Sequence, residues 1–276
     1  MTKKIAIQGF EGSFHQEAAR HFFGNDVAIV PCATFRETVK LSADKSVTDG
    51  GLMAIENSIA GSILPNYTLL LQSNLKIIGE VYLQIRQQLL TCPGIKLEDI
   101  REVHSHPMAL LQCSNILEEY GWKLVETEDT ALSAKHLRQH KSKHIAAVAS
   151  RLAAEMYGLQ ILLPDIHAQK NNYTRFLALT IDNNNEIQPD ADKASLYFRT
   201  NHTRGSLARV LTAIAENGIN LSKLQSFPIP ESNWQYFFHV DMEFESLSQF
   251  ETVISKITPI TESLRIYGIY KKGKTF

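Results

Sequence analysis

A chain of 276 residues exceeds one small core and points to about two or three compact units. With 44% hydrophobic and 21% charged residues it can fill those cores and remain globular. The balance of 28 Lys plus Arg against 29 Asp plus Glu excludes the basic field that holds nucleic acid, and Lys271-Lys272-Gly273-Lys274 reads as a frayed, solvated tail.

Met1-Thr2-Lys3-Lys4 opens like a charged leader, but Ile5-Ala6-Ile7 is interrupted at once by Gln8, Gly9 and Glu11. The apolar run is too short to target or span a membrane, so no membrane partner is expected. It reads instead as a strand over 4–8 that ends at Gly9. Ser13 with Gln16 three positions on has capping-box spacing, and Ala18-Ala19 favours the helix that follows. Ser13 is then a helix cap or, because free N–H groups gather there, a receiver of a substrate carboxylate. His15 is expected to be exposed in the first turn.

The alternation continues with a strand at Ala28-Ile29-Val30, a helix from near Thr34, and a strand 51–55 that enters Glu56-Asn57-Ser58. Short apolar strands alternating with helices imply a mainly parallel sheet with ligands at the strand C-terminal ends, where Glu56, Asn57 and Ser58 stand. A second set follows: strands 76–85, 102–105, 123–125 and 145–148, a helix 107–120 with Pro107 in its first turn, and helices around 131–137 and 152–157. The stretch 159–163 leads into Asn171-Asn172-Tyr173-Thr174-Arg175-Phe176 and the apolar Leu177-Ala178-Leu179. On a strand Thr174 and Phe176 face one side and Arg175 the other. A hydroxyl donor beside a fixed cation suits a small anionic substrate.

The polar run Asp182-Asn183-Asn184-Asn185-Glu186, followed by Pro189-Asp190, reads as a linker over 183–192. After it the pattern is strand 194–200, helix 205–217, strands 220–227 and 234–244, helix 246–256 and strand 263–270, a ferredoxin-like βαββαβ order. Cys32, Cys92 and Cys113 are odd in number and lack CxxC spacing, so they read as small, reduced core residues of a cytoplasmic protein, without a metal or nucleophile role.

Several motifs in order give the chain a resemblance to prephenate dehydratases over most of its length. They are Gly9-Phe10-Glu11-Gly12-Ser13-Phe14-His15-Gln16-Glu17, Ile55-Glu56-Asn57-Ser58, Ser105-His106-Pro107-Met108-Ala109-Leu110, Ala146-Ala147-Val148-Ala149-Ser150 and Thr174-Arg175-Phe176. Pattern alone gives two α/β lobes; the resemblance implies a type II periplasmic-binding-protein-like region. Residues 1–182 would form it, lobe one from about 1–78 and 160–182 and lobe two from about 79–159. Residues 193–276 resemble the ACT domain, a regulatory amino-acid-binding module, through Gly205-Ser206-Leu207 and Asn217-Gly218-Ile219-Asn220-Leu221.

The resemblance implies conversion of prephenate to phenylpyruvate, with no metal or other cofactor, and a homodimer or homotetramer regulated by L-phenylalanine. Thr174 would donate to the leaving hydroxyl and Arg175 would clamp a carboxylate. Glu56 would be a proton donor or a lobe-fixing acceptor. Ser13, Asn57 and Ser58 would bind substrate oxygens, with Phe176 packed beneath. Gly205, Ser206, Leu207, Ala208, Asn217, Asn220, Gln225 and Ser226 would receive the effector.

Two departures stand out. Gln87-Gln88 replaces a His found in many relatives, and Gln225-Ser226-Phe227-Pro228 replaces Glu-Ser-Arg-Pro, which alters charge and shape beside the effector site. His106 is expected to hold the loop before its helix. The first dehydratase strand starts so near Met1 that no fused chorismate mutase is expected ahead of it. Arogenate dehydratase and a non-catalytic amino-acid sensor remain the competing readings.

Overall fold

The structure is a computed structural model that describes residues 2–182, 187–229 and 235–276. Of the expected linker, residues 183–186 lie outside the described residues. The chain divides into two compact units, one of residues 1–74, 81–181 and 274–276, the other of residues 75–80 and 182–273.

In chain order the elements begin with β1 (Lys4–Gln8), α1 (Phe14–Phe23), β2 (Ala28–Cys32), α2 (Phe35–Ser42), β3 (Gly50–Asn57), β4 (Gly61–Ser62), α3 (Leu64–Gln72) and β5 (Lys76–Gln84). There follow β6 (Gln88–Thr91), β7 (Glu102–Ser105), α4 (Pro107–Gln112), α5 (Ser114–Tyr120), β8 (Lys123–Glu126), α6 (Thr130–His140), β9 (Ile145–Ala149), α7 (Arg151–Tyr157), β10 (Gln160–Leu163) and β11 (Tyr173–Thr180). They build two sheets, ordered β2-β1-β3-β11-β5 and β10-β6-β9-β7-β8, with β4 paired to β3. Each sheet is the core of one lobe. β1, β2 and β3 run parallel, as do β8, β7 and β9, and the central strands β1, β3 and β9 carry the continuous buried runs of strands covered on both faces.

The strands that return the chain break this parallel order. β11 pairs antiparallel to β3, and β6 pairs antiparallel to both β9 and β10. The lobe boundaries expected near 78 and 159 shift accordingly. β5 remains in the first sheet to Gln84, and β10 belongs to the second sheet because it pairs antiparallel with β6. The helix expected over 107–120 is also interrupted. Cys113 adopts φ −108° and ψ 6°, outside helical geometry, and α5 starts anew after it.

The second unit holds β12 (Lys193–Arg199), α8 (Ser206–Ala215), β13 (Asn220–Pro228), β14 (Tyr236–Glu243), α9 (Leu247–Ile257) and β15 (Ser263–Tyr270). Its sheet is ordered β13-β14-β12-β15, with α8 and α9 packed over a core that includes Phe198, Val210, Val240 and Phe250. The alternation of buried and exposed residues along β13 is that of a strand with one covered face. Lys193 and Glu80, both buried in this unit, pair at 2.9 and 3.1 Å.

The tail expected to fray is bound at each step. Lys271 pairs with Asp192 at 2.9 Å and Lys272 with Glu243 at 2.9 Å. Within the first unit, the Tyr82 amide donates to the Lys274 carbonyl at 3.0 Å and the Phe276 amide to the Tyr82 carbonyl at 2.9 Å.

Candidate active site

The end of β3 and the start of β11 form one hydrogen-bonded knot. Asn57 closes a turn, its Oδ1 accepting from the Ile59 and Ala60 amides at 3.0 and 2.9 Å. With the oxygen so committed, Nδ2 must face β11, where it donates to Asn172 Oδ1 at 2.7 Å, to the Tyr173 carbonyl at 3.2 Å and to Thr174 Oγ1 at 3.0 Å. Because the Thr174 oxygen accepts from Asn57, its own hydroxyl hydrogen is left to point at a ligand. Ser58 locks the approach to β11: its amide donates to the Tyr173 carbonyl at 2.8 Å, its Oγ donates to the Asn171 carbonyl at 3.1 Å, and the Tyr173 amide donates to that Oγ at 2.9 Å.

Thr174, Asn57 and Phe176 line a cavity of about 270 Å³ together with His15, Gln87 and His106. The lobes meet beside it. Ser150, the N-cap of α7, donates to the Gly12 carbonyl at 2.6 Å, and the Tyr157 hydroxyl donates to the Glu11 carbonyl at 2.6 Å. Gly12 has φ +85°, and a Cβ there would lie 2.9 Å from Ala153 Cα, so only glycine permits this approach.

The structure separates the expected site residues. Thr174 opposes Asn57 and Arg175 opposes Glu56, but a register shift then sets Phe176 against Ala54. Thr174 and Phe176 thus share the cavity, whereas Arg175 and Glu56 do not line it. Arg175 is buried with its guanidinium 5.9 Å from the Tyr82 ring centre. Ser13 is a buried N-cap, accepting from the Gln16 amide at 3.3 Å, while Gln16 Oε1 accepts from the Gly12 amide at 2.7 Å. Neither Ser13 nor Ser58 lines the cavity. His106 caps α4 through Nδ1, which accepts from the Met108 amide at 3.2 Å.

Two polar cavity residues, Gln87 and His15, were not singled out as ligand contacts by the sequence. Gln87 is buried with Oε1 lacking a partner among the described residues, and its Nε2 lies 3.5 Å from Gln112 Oε1. The available signal was an amide pair, Gln87-Gln88, inside an apolar strand. His15 is half-buried rather than exposed, because α1 turns it inward. Its ring meets Phe176 edge-on at 4.9 Å and Phe35 at 5.6 Å, and its Nε2 is buried without a partner among the described residues.

Burial lowers the His15 pKa from 6.5 to about 4, so the imidazole is neutral near pH 7. The unfolded chain then binds the extra proton first. The stability tied to this residue is full above pH 6.5 and falls away as the pH drops towards about 4. In urea melts across that window, His15→Phe should lose stability less steeply than the wild type. Parallel curves would contradict a buried neutral imidazole.

The family described as prephenate dehydratase matches residues 5–184, and the ACT domain family matches residues 195–258. The chain belongs to the prephenate dehydratase family. Among curated proteins, arogenate dehydratase 2 of Petunia hybrida is 35% identical over 285 residues, covering 97% of this chain and 71% of its own length. Among solved structures, a prephenate dehydratase from Arthrobacter aurescens in complex with L-Phe superposes with TM-score 0.85 at 25% identity, covering 98% of this chain and 90% of its own. A structure described as GqqA, a novel type of quorum quenching acylase, superposes with TM-score 0.88 at 31% identity, covering 98% of each chain.

In the ACT region of this dehydratase, the expected effector residues are spread out within one chain. Gly205 is the N-cap of α8 at φ +75°, and buried Ser206 donates to Thr200 Oγ1 at 3.2 Å. Leu207 packs on the core and Ala208 is exposed. Asn217 follows the other end of the helix, donating to the Ala213 carbonyl at 2.6 Å and accepting from Lys256 Nζ at 2.6 Å. Asn220 opens β13, and Gln225 and Ser226 lie further along it. At 1.5 Å per residue, the two ends of α8 stand about 15 Å apart.

Among the described residues, no helix is long and apolar enough to cross a membrane, and no group of three or more His, Cys, Asp or Glu is placed to hold a metal ion.

Proposed function

We propose that this chain is a prephenate dehydratase, a carbon–oxygen lyase that converts prephenate to phenylpyruvate, water and carbon dioxide. The observation that carries this reading is the Thr174 hydroxyl, whose oxygen is occupied by Asn57 Nδ2 so that its hydrogen faces a cavity lined by aromatic rings and neutral polar groups. In the reaction the ring C–O bond breaks and the bond to the ring carboxylate breaks with it. The carboxylate leaves as carbon dioxide, its bonding electrons aromatise the ring, and the departing oxygen takes up a proton.

Aromatisation supplies the driving force, so the site has to orient the substrate and stabilise the departing oxygen. A threonine hydroxyl is a weak acid in water, and it serves here as a preorganised hydrogen-bond donor whose proton water replaces. Phe176 and Phe14 give the cavity an apolar wall for the ring, and His15, neutral, presents a buried ring nitrogen without a fixed charge. Asn57 is the residue that aims Thr174. Arg175, Glu56, Ser13 and Ser58 hold the framework behind it.

L-phenylalanine is the effector in this reading, supported by the ACT match and by the L-Phe complex of the Arthrobacter aurescens protein. The spread of the effector residues along α8 and β13 favours a site completed by a second copy. β13 is an edge of its sheet and exposes Leu224, which suits a homodimer or a homotetramer built from it. Three buried cysteines without disulfides suit a cytoplasmic enzyme.

The test is phenylpyruvate formation from prephenate by the purified protein, titrated with phenylalanine. Turnover that falls as phenylalanine is added is the expected result. Absence of turnover overturns the assignment of prephenate as substrate, and turnover indifferent to phenylalanine overturns the effector assignment.

A further inference from the structure

A second cavity, of about 210 Å³, lies within the first unit and shares Met108 and Gln112 of α4 with the first. Its walls combine apolar Ile59, Met108 and Leu111 with the amide side chains of Gln112 and Gln169, and in the segment before β11 they carry two buried polar side chains, His167 and Asn172. Both carry a nitrogen with no partner among the described residues: His167 Nε2 and Asn172 Nδ2.

Their hydrogen-bonding roles are fixed by what they already hold. Asn57 presents Nδ2 to Asn172, so Asn172 must answer with Oδ1 at 2.7 Å and keep its amide hydrogens for the cavity. The Gln87 amide donates to His167 Nδ1 at 3.3 Å, so the neutral ring carries its hydrogen on Nε2. His167 stays neutral because burial lowers its pKa, as do the charges of Lys170 and Arg86, against an opposing effect of Asp165. Asp165 is itself engaged, accepting from Gln88 Nε2 at 2.9 Å, and Lys170 Nζ is fixed on the His167 carbonyl at 2.9 Å. The cavity therefore offers two unspent donors under a net positive field.

Buried donors without acceptors are costly, and two in one cavity point to a ligand that brings acceptor oxygens. We propose that this cavity receives the 2-oxo-acid side chain of the substrate, and that His167 and Asn172 select a 2-oxo acid over a 2-ammonio acid. The proposal rests on the dehydratase reading. The ring lies against Thr174 and Phe176, and the side chain passes the shared wall of α4. The ketone and its carboxylate accept from Nε2–H and Nδ2–H. An ammonium group in place of the ketone brings three donors and a positive charge to a site that already has both. A site built to satisfy one hydrogen-bonding pattern rejects the mismatched analogue strongly. Prephenate is thereby preferred to arogenate.

The experiment is kcat/KM on prephenate and on arogenate for the wild type, His167→Phe, His167→Gln, Asn172→Asp and Thr174→Ala, with a thermal melt of each to confirm folding. The wild type should favour prephenate by at least about tenfold. Asn172→Asp keeps the acceptor for Asn57 and replaces the free donor with an anionic oxygen. It should narrow the ratio by about tenfold or reverse it, and His167→Phe should narrow it too. His167→Gln, which retains a donor, should preserve most of the ratio. Thr174→Ala should lower both efficiencies by a common factor. Inhibition by phenylpyruvate, itself a 2-oxo acid, should weaken in His167→Phe.

Turnover with a ratio unmoved by either His167→Phe or Asn172→Asp overturns the selectivity assignment and leaves the dehydratase reading standing. A wild type that favours arogenate also overturns it. A wild type that turns over neither substrate overturns both.

Discussion

Thr174→Ala is expected to form phenylpyruvate at least about a hundredfold more slowly than the wild type, with KM changed by no more than a few-fold. The cavity walls survive the substitution, so ground-state binding should too. What is lost is one donor aimed at charge that develops only as the C–O bond breaks. Thr174→Ser keeps the hydroxyl and should retain much of the rate, although without the γ-methyl its rotamer is less constrained. A second control is Asn57→Ala, which removes the donor to Thr174 Oγ1 and two turn-closing acceptor bonds at once. It should depress kcat and stability together, whereas Thr174→Ala should depress kcat alone. Near-normal turnover in Thr174→Ala would remove this residue from the chemistry.

Glu80→Gln should destabilise the second unit by roughly 3–5 kcal/mol, the range for breaking a buried ion pair from one side. Glu80 and Lys193 are almost wholly inaccessible, at 0% and 1% of their side-chain surface, and the carboxylate meets Nζ with both oxygens. It also accepts from the Gly273 amide at 3.2 Å, so one side chain ties β5, β12 and the C-terminal segment. Another anion near Lys193, Glu243 at 3.9 Å, is partly solvated and already bonded to Lys272, so it compensates poorly. Replacing both partners, as in Glu80→Leu with Lys193→Met, should recover most of the loss, because no buried charge is then stranded. Urea unfolding followed by a probe in each unit would separate a local loss from a global one. A change below about 1 kcal/mol in Glu80→Gln would mean that solvent reaches the pair.

The legible part of this fold was the part governed by local periodicity. Ile5-Ala6-Ile7, Ala146-Ala147-Val148-Ala149 and the βαββαβ order after residue 192 follow from apolar runs, caps and turn residues, and their elements formed close to the expected bounds. The family motifs then brought Asn57, Thr174 and Phe176 to one cavity. What escaped was set by long-range pairing. The register shift between Arg175 and Phe176 is a property of how β11 meets β3, and nothing local in the sequence announces it. The same holds for β10, whose four residues carry no sign of which sheet they join. His15 was expected to be exposed in the first turn of its helix, yet the half-turn of α1 that it occupies faces Phe35 and Phe176. Nor could the chain order reveal that His167 and Asn172 would be buried with a donor each to spare.

The most direct test of the central claim is to supply purified protein with prephenate and measure phenylpyruvate and carbon dioxide together, with Thr174→Ala alongside. Equimolar release of the two by the wild type, lost in the variant, is the predicted result. No product from the wild type, or product formed equally well without the Thr174 hydroxyl, would contradict the claim that this cavity carries out decarboxylating dehydration.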